Sequence, residues 1–272
     1  MNKNIGPYRV VDLTPGRRVW INALDLSEPT HWMVGLLEVD VTVLRQRLAS
    51  HKERTGEALS FTGFLVYCLA RAVDENKSVQ SYLKGRKQLV MFDDVDVGLM
   101  VERAVDGKTT LLVHVIRAAN RKTFPEIHQE IRLAQSGPLP AGGGMPGWFR
   151  TAMLLPWPFS NLFKALLNWG VRRDPTVRVA SSGTVGVTAI GMFGKGHSGW
   201  GLATNPNSLG LVVGSTSWKP AVVEGRIEPR EILNLTVLFD HDVVDGAPAA
   251  RFTHRLIELI ESGDSLGEAA GQ

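Results

Sequence analysis

The chain has 272 residues, 44% hydrophobic and 21% charged, with a formal net charge of +3. This is a globular balance in which acids are interspersed with bases, so no dense basic stripe invites nucleic acid. Cys68 is the only cysteine, which excludes an intrachain disulfide and a one-chain thiolate zinc cluster. No run approaches the roughly 18–20 apolar residues of a membrane span, and MNKNIGPYRVVDL has no apolar signal core, so the expected location is the cytoplasm.

Residues 1–30 read as irregular, with turn signals at Gly6-Pro7 and Pro15-Gly16. His31 to Val39 reads as a strand, and Asp40 then caps a helix with Val41, Leu44 and Leu48 on one face. Ser60 caps the next helix, whose apolar stripe is Phe61, Phe64, Leu65, Cys68, Leu69, Ala72 and Val73. Strand-like runs follow at 87–92, 95–101 and 110–116. Thr123 and Glu126 form a capping box for a helix running to about Gln135.

Residues 138–180 form a hydrophobic, basic insertion within an otherwise single domain spanning 1–272. It opens Gly/Pro-rich and continues as WFRTAMLLPWPFSNLFKALLNWGVRRDP. Phe159, Leu162, Phe163, Leu166 and Leu167 follow helical spacing after Pro158, a suitable first-turn residue. From 145 to 180 there are five Lys/Arg and one acid. Beyond it, strands are expected at 184–190, 208–216, 220–224 and 231–239, with a glycine-rich loop over 191–201. A last helix runs from about Gly246 to Glu261, with Phe252, Leu256, Leu259 and Ile260 on one face. Apolar strands alternating with helices give an α/β class with a mixed sheet.

GKGHSG (194–199) matches the dinucleotide fingerprint in letters, but Trp200, Gly201, Asn205 and Pro206 follow it where a phosphate-binding helix would have to begin. Among seven histidines, His51 and His128 read as helix-surface residues and His114 as a strand residue. His241 stands apart. It follows the apolar strand LNLTVLFD and precedes Gly246, where a helix starts, with Asp245 four positions on; a strand end facing a helix start is a frequent place for working residues.

FDHDVVDGAPAARF (239–252) resembles the signature of the dihydrolipoamide acyltransferases, the catalytic cores of 2-oxo acid dehydrogenase complexes, which share a fold with chloramphenicol acetyltransferase. The shared element, His-x-x-x-Asp-Gly, is His241, Asp245 and Gly246. PGRRVWINAL, THWMVGLLEVDVTVL, SFTGFLVYCLARAV, DDVDVGLMV, LLVHVIRAAN, GTVGVTAIGMFG and NPNSLGLVVGSTSWKPAVVEGRI resemble further family segments in the right order. The resemblance implies a two-layer sandwich with a mixed sheet, assembled as a homotrimer or a larger cage. It implies acyl transfer between coenzyme A and a thiol acceptor, lipoyl or other, with no metal. His241 would be the general base. Thr188, in place of the family's serine, would hydrogen-bond the oxyanion. Asp245 would hold the loop through an ion pair with Arg17 or Arg18.

Three departures accompany it. Asp242 stands where the family usually has an arginine. No lipoyl domain precedes the catalytic segment, so the acyl carrier would be a separate protein or a small molecule. The 138–180 insertion exceeds the family's linker. Two alternatives accompany enzymatic acyl transfer: a catalytically idle scaffold of trimers or a cage, and a peripheral enzyme touching a membrane through 145–170.

Overall fold

A computed structural model describes Arg9, residues 12–14, 17, 18, 21 and 22, then 31–85, 87–105, 108–137, 151–156, 158–191 and 197–263. At 103–105, 108–111 and 172 it describes backbone only. The turn signals at Gly6-Pro7 and Pro15-Gly16 lie outside these residues, as do Trp148 and Trp157 and residues 194–196 of the GKGHSG match.

The first strand, β1 (Trp32–Asp40), leads into α1 (Thr42–Thr55). The cap position is Val41 rather than the expected Asp40, which ends β1; its carboxylate accepts the Thr42 backbone N–H at 2.9 Å and the Arg230 Nε–H at 2.6 Å. Val41, Leu44 and Leu48 are buried. Helix α2 (Phe61–Glu75) starts at Ser60, whose Oγ accepts the Gly63 N–H at 3.0 Å. A short hairpin, β2 (Tyr82–Lys84) and β3 (Gln88–Val90), precedes the long pair β4 (Val97–Val105) and β5 (Lys108–Ile116). Helix α3 (Phe124–Ser136) carries the capping box, with the Glu126 carboxylate accepting the Thr123 N–H at 2.7 Å.

Two helices follow, α4 (Phe159–Arg173) and α5 (Thr176–Ser182). The chain then enters β6 (Val185–Ala189), β7 (Leu209–Val223), β8 (Arg226–Asp240) and α6 (Gly246–Ser262). Two expected strands at 208–216 and 220–224 are one continuous strand. Pro220 does not break it, because its partner across the ladder is Pro229. Opposed residues in an antiparallel ladder exchange either two N–H···O bonds or none, and two prolines fit the second kind of pair.

Six strands form one sheet in the order β1-β8-β7-β6-β4-β5. β6 pairs in parallel with both β4 and β7; the other pairings of the sheet are antiparallel, so the sheet is mixed. Val185 and Val187 of β6, Leu209, Leu211 and Val213 of β7, and Leu235, Val237 and Phe239 of β8 face one side. There they join Phe64, Leu65 and Leu69 of α2, Ile127 of α3 and Phe252, Leu256 and Ile260 of α6 in one core. This is the expected two-layer arrangement. His128 departs from its sequence reading: it is buried rather than on the helix surface, with Nδ1 accepting the Ser60 N–H at 3.0 Å.

Candidate active site

His241 is the first residue past β8. Its backbone N–H donates to the His31 carbonyl at 2.8 Å, tying the turn to the start of β1. Asp240 closes that turn: its carbonyl accepts from Val243 and Val244, and its carboxylate accepts the Asp242 N–H at 3.0 Å. Val244 is buried in the core and anchors the turn, while His241, Asp242 and Asp245 are exposed. Asp242, standing where an arginine was expected, has its own partner: His31 Nδ1 lies 2.8 Å from its carboxylate. Burial raises the pKa of Asp240 above the ordinary carboxylate value, and the negative Asp242 nearby adds to the rise.

Asp245 occupies the cap position of α6, and its carbonyl accepts the Ala249 N–H at 3.1 Å. Arg17 and Arg18 are exposed, with their backbone N–H groups bonded to Thr14. No ion pair joins Arg17 or Arg18 to Asp245 among the described residues of this single chain. Among the described residues nothing outside its own helix and neighbours comes within 4 Å of where a Cβ at Gly246 would stand, so their packing does not demand a glycine there.

Thr188 lies on β6 with its side chain on the sheet face opposite the core, half-buried. The following loop is fixed over this face. Trp200 Nε1 donates to the Leu37 carbonyl at 2.9 Å, and the Gly199 N–H donates to Ser215 Oγ at 2.8 Å. Asn205 settles against two glycines: a Cβ at Gly186 would stand 2.5 Å from its Oδ1, and one at Gly210 would stand 2.3 Å from its Nδ2. Residues 197–208 form no helix, so nothing after the glycine-rich match supplies a phosphate-binding helix N-terminus.

The sheet register measures the distance between the two candidate groups. Thr188 pairs with Val212, and Val212 pairs with Thr236 on β8. His241 lies five positions beyond Thr236, just past the end of β8, which is two strands across from β6. At about 4.8 Å per strand and about 3.3 Å per residue, the two Cα atoms are roughly 19 Å apart. One chain therefore does not bring Thr188 and His241 onto one carbonyl. Sequence reasoning gave no warning of this, because both residues sit in segments that match the family equally well. Neither the His241 ring nor the Thr188 hydroxyl has a hydrogen-bond partner among the described residues. Nor do three or more His, Cys, Asp or Glu side chains gather there into a metal site.

The model of the 2-oxoacid dehydrogenases acyltransferase catalytic domain matches residues 6–137 and 172–267. The chain belongs to this acyltransferase family. The match takes in His241, Asp245, Thr188, Arg17 and Arg18, and leaves 138–171 unmatched. The lipoamide acyltransferase component of the branched-chain alpha-keto acid dehydrogenase complex of Bacillus subtilis (strain 168) is 27% identical over 234 residues, covering 84% of this chain and 46% of that protein. The chain thus spans about half the length of the curated acyltransferases it matches. Among solved structures, the dihydrolipoamide acetyltransferase of Azotobacter vinelandii superposes with a TM-score of 0.68 at 22% identity, covering 97% of this chain and 96% of that one. The cubic core of a pyruvate dehydrogenase multienzyme complex superposes with a TM-score of 0.67 at 20% identity, covering 97% and 96%. These likenesses establish the acyltransferase fold. No described helix is long and apolar enough to cross a membrane.

Proposed function

We propose that the chain transfers an acyl group between coenzyme A and a thiol acceptor, lipoyl or other, in the cytoplasm. The family match across the His241 motif carries this reading. His241 takes the proton of the attacking thiol. A thiol near pKa 8.5 and an imidazole near 6.5 are close enough for transfer at neutral pH, and a positioned base contributes about 10²–10⁴-fold. The thiolate then attacks the thioester carbonyl. Thr188 donates its hydroxyl hydrogen to the developing oxyanion, a bond that strengthens in the transition state. Asp245 holds the loop, paired with Arg17 or Arg18 in the working site.

The roughly 19 Å between Thr188 and His241 within one chain makes a shared site the simplest reading, with the base from one subunit and the hydroxyl from its neighbour in a homotrimer. Surfaces suited to such contacts exist: Val34 and Leu36 stand exposed beyond Thr236, and the far end of the β7–β8 hairpin exposes Trp218, Val222 and Ile227. The open space at Gly246 suits a neighbour or ligand approaching the motif. Further assembly into a cage is part of the same proposal, supported by the core superposition.

The test is exchange between acetyl-CoA and a panel of thiols. His241→Ala should abolish it. Thr188→Val should slow turnover by about 10²–10³-fold with little change in coenzyme A affinity, while Thr188→Ser stays active. Mixing His241→Ala with Thr188→Val under conditions of subunit exchange should restore part of the activity, since mixed trimers contain one intact pair. Activity that survives His241→Ala removes the mechanism. A stable monomer in sedimentation removes the shared site. Tight coenzyme A binding without transfer to any acceptor would leave the scaffold reading.

A further inference from the structure

Helix α4 presents two apolar faces. Phe163, Leu167 and Val171 are half-buried toward the protein. On the other side Phe159, Leu162, Leu166 and Trp169, spaced 3, 4 and 3 residues apart, form a second stripe with exposures of 59%, 60%, 57% and 61%. At 1.5 Å per residue this stripe is about 15 Å long. Exposed apolar stripes of this size on a folded chain mark a contact surface.

Charge indicates the contact. Helix α4 carries Lys164, Arg172 and Arg173 and no acid. Arg173 lies over the Trp169 ring at 5.2 Å, on the stripe side. The β2–β3 hairpin, which packs against α4, repeats the pattern independently. Its exposed Leu83 and Leu89 are cross-strand partners, Met91 follows them exposed, and Tyr82–Val90 contains Lys84, Arg86 and Lys87 with no acid. A second copy docked on α4 would set basic helix against basic helix. The stripe projects from the convex surface of a single helix, so it offers a shaped partner little to grip. A fluid, anionic, apolar-cored layer needs no groove and complements both the charge and the apolar side chains.

We propose that α4 and the adjoining β2–β3 hairpin form a docking surface for the face of an anionic lipid bilayer. The helix lies in the headgroup region, with the stripe dipped toward the acyl chains and Arg173 at phosphate level. The family model leaves residues 159–171 of α4 unmatched and takes in the β2–β3 hairpin, so the helix is an addition to the shared acyltransferase core. It lies apart from the outer sheet face and the β7–β8 hairpin end that the function proposal gives to neighbouring subunits.

The full chain is sedimented with vesicles of phosphatidylcholine alone and of phosphatidylcholine mixed equally with phosphatidylglycerol. Association is expected with the mixed vesicles only, weakening as salt rises. Arg173→Glu should weaken it by about fivefold or more, since each basic residue near an anionic surface is worth about that factor. L162E/L166E should reduce it at least about tenfold. In a second readout, brominated acyl chains should quench the wild-type tryptophan fluorescence more than that of Trp169→Phe; this arm stands if the double variant misfolds. No association with anionic vesicles, undiminished binding by L162E/L166E, or equal quenching of wild type and Trp169→Phe overturns the proposal. So does a change in sedimenting mass of L162E/L166E without lipid, which would assign the stripe to another copy.

Discussion

Helices α2 and α4 are each 15 residues long, and both carry Phe and Leu at helical spacing. Their fates differ. Helix α2 buries ten residues, with Phe64 set edge-on against Phe124 at 5.5 Å, and its first turn is capped by Ser60. Helix α4 starts at Pro158 without a side-chain cap and leaves a whole stripe in solvent. Apolar periodicity states that a face will be covered; it does not state whether this chain does the covering. That decision depends on where the sheet and neighbouring helices lie, and α2 sits between α3 and α6 while α4 sits at the margin.

The largest expected effect separates the two helices directly. Phe64→Ala should cost about 3–5 kcal/mol, because a fully buried ring leaves a cavity, whereas Leu162→Ala should change stability by no more than about 0.5 kcal/mol. Chemical denaturation of the lipid-free chain measures both, and comparable losses would mean that the chain itself covers the α4 stripe. The caps give the next contrast. Ser60→Ala should cost about 1 kcal/mol, while Ser160→Ala, in the first turn of α4, should fall within the scatter of thermal melts. An equal loss at both positions would refute the difference in helix starts.

The smallest effect is set by pH. Burial lowers the pKa of His128 from its ordinary 6.5, Arg132 and the nearby His51 act in the same direction, and Glu57 opposes them. Neutral His128 accepts the Ser60 N–H, so protonation removes a bond at the start of α2. In the unfolded chain this histidine binds its proton more readily than in the folded one. Stability is therefore full above about pH 6.5 and falls as pH drops through the folded value, levelling off below it. The carboxylates with lowered values, Asp40 and Glu130, add their losses at still lower pH. His128→Gln should flatten the step that begins as pH falls below about 6.5 without altering the acid limb. A step unchanged by that substitution would place it elsewhere.

Local signals were legible where one residue decides the outcome. Asp40, Ser60 and the Thr123–Glu126 box mark helix starts, and Leu44, Leu48, Phe252 and Leu256 show their inner faces by spacing alone. Signals that need a second segment were not. Residues 208–224 read as two strands until β8 pairs across the gap at 217–219 and sets Pro229 opposite Pro220. The helical state of TVRVASS in α5 depends on Arg117, held by Asp96 at 2.7 Å, reaching the Val179 and Ala180 carbonyls. His128 reads as polar surface until Ser60 presents its N–H. The site shows the same division: the His241 motif is continuous and readable, while its separation from Thr188 follows from strand order, which no local pattern contains.

The pairing of β1 with β8 has a consequence for synthesis on the ribosome. Trp32 faces Asp240 and Asp40 faces Ile232, so the first strand must wait for the last. With about 200 residues between them and translation at about 5–20 residues per second, β1 spends roughly 10–40 seconds without its ladder partner. During that interval Val34, Gly35 and Leu36 form an apolar strand with unsatisfied backbone groups, the kind of edge that recruits foreign strands. A nascent chain stalled before Arg226 should engage holding chaperones through residues 32–40, and one released after Ser262 should not.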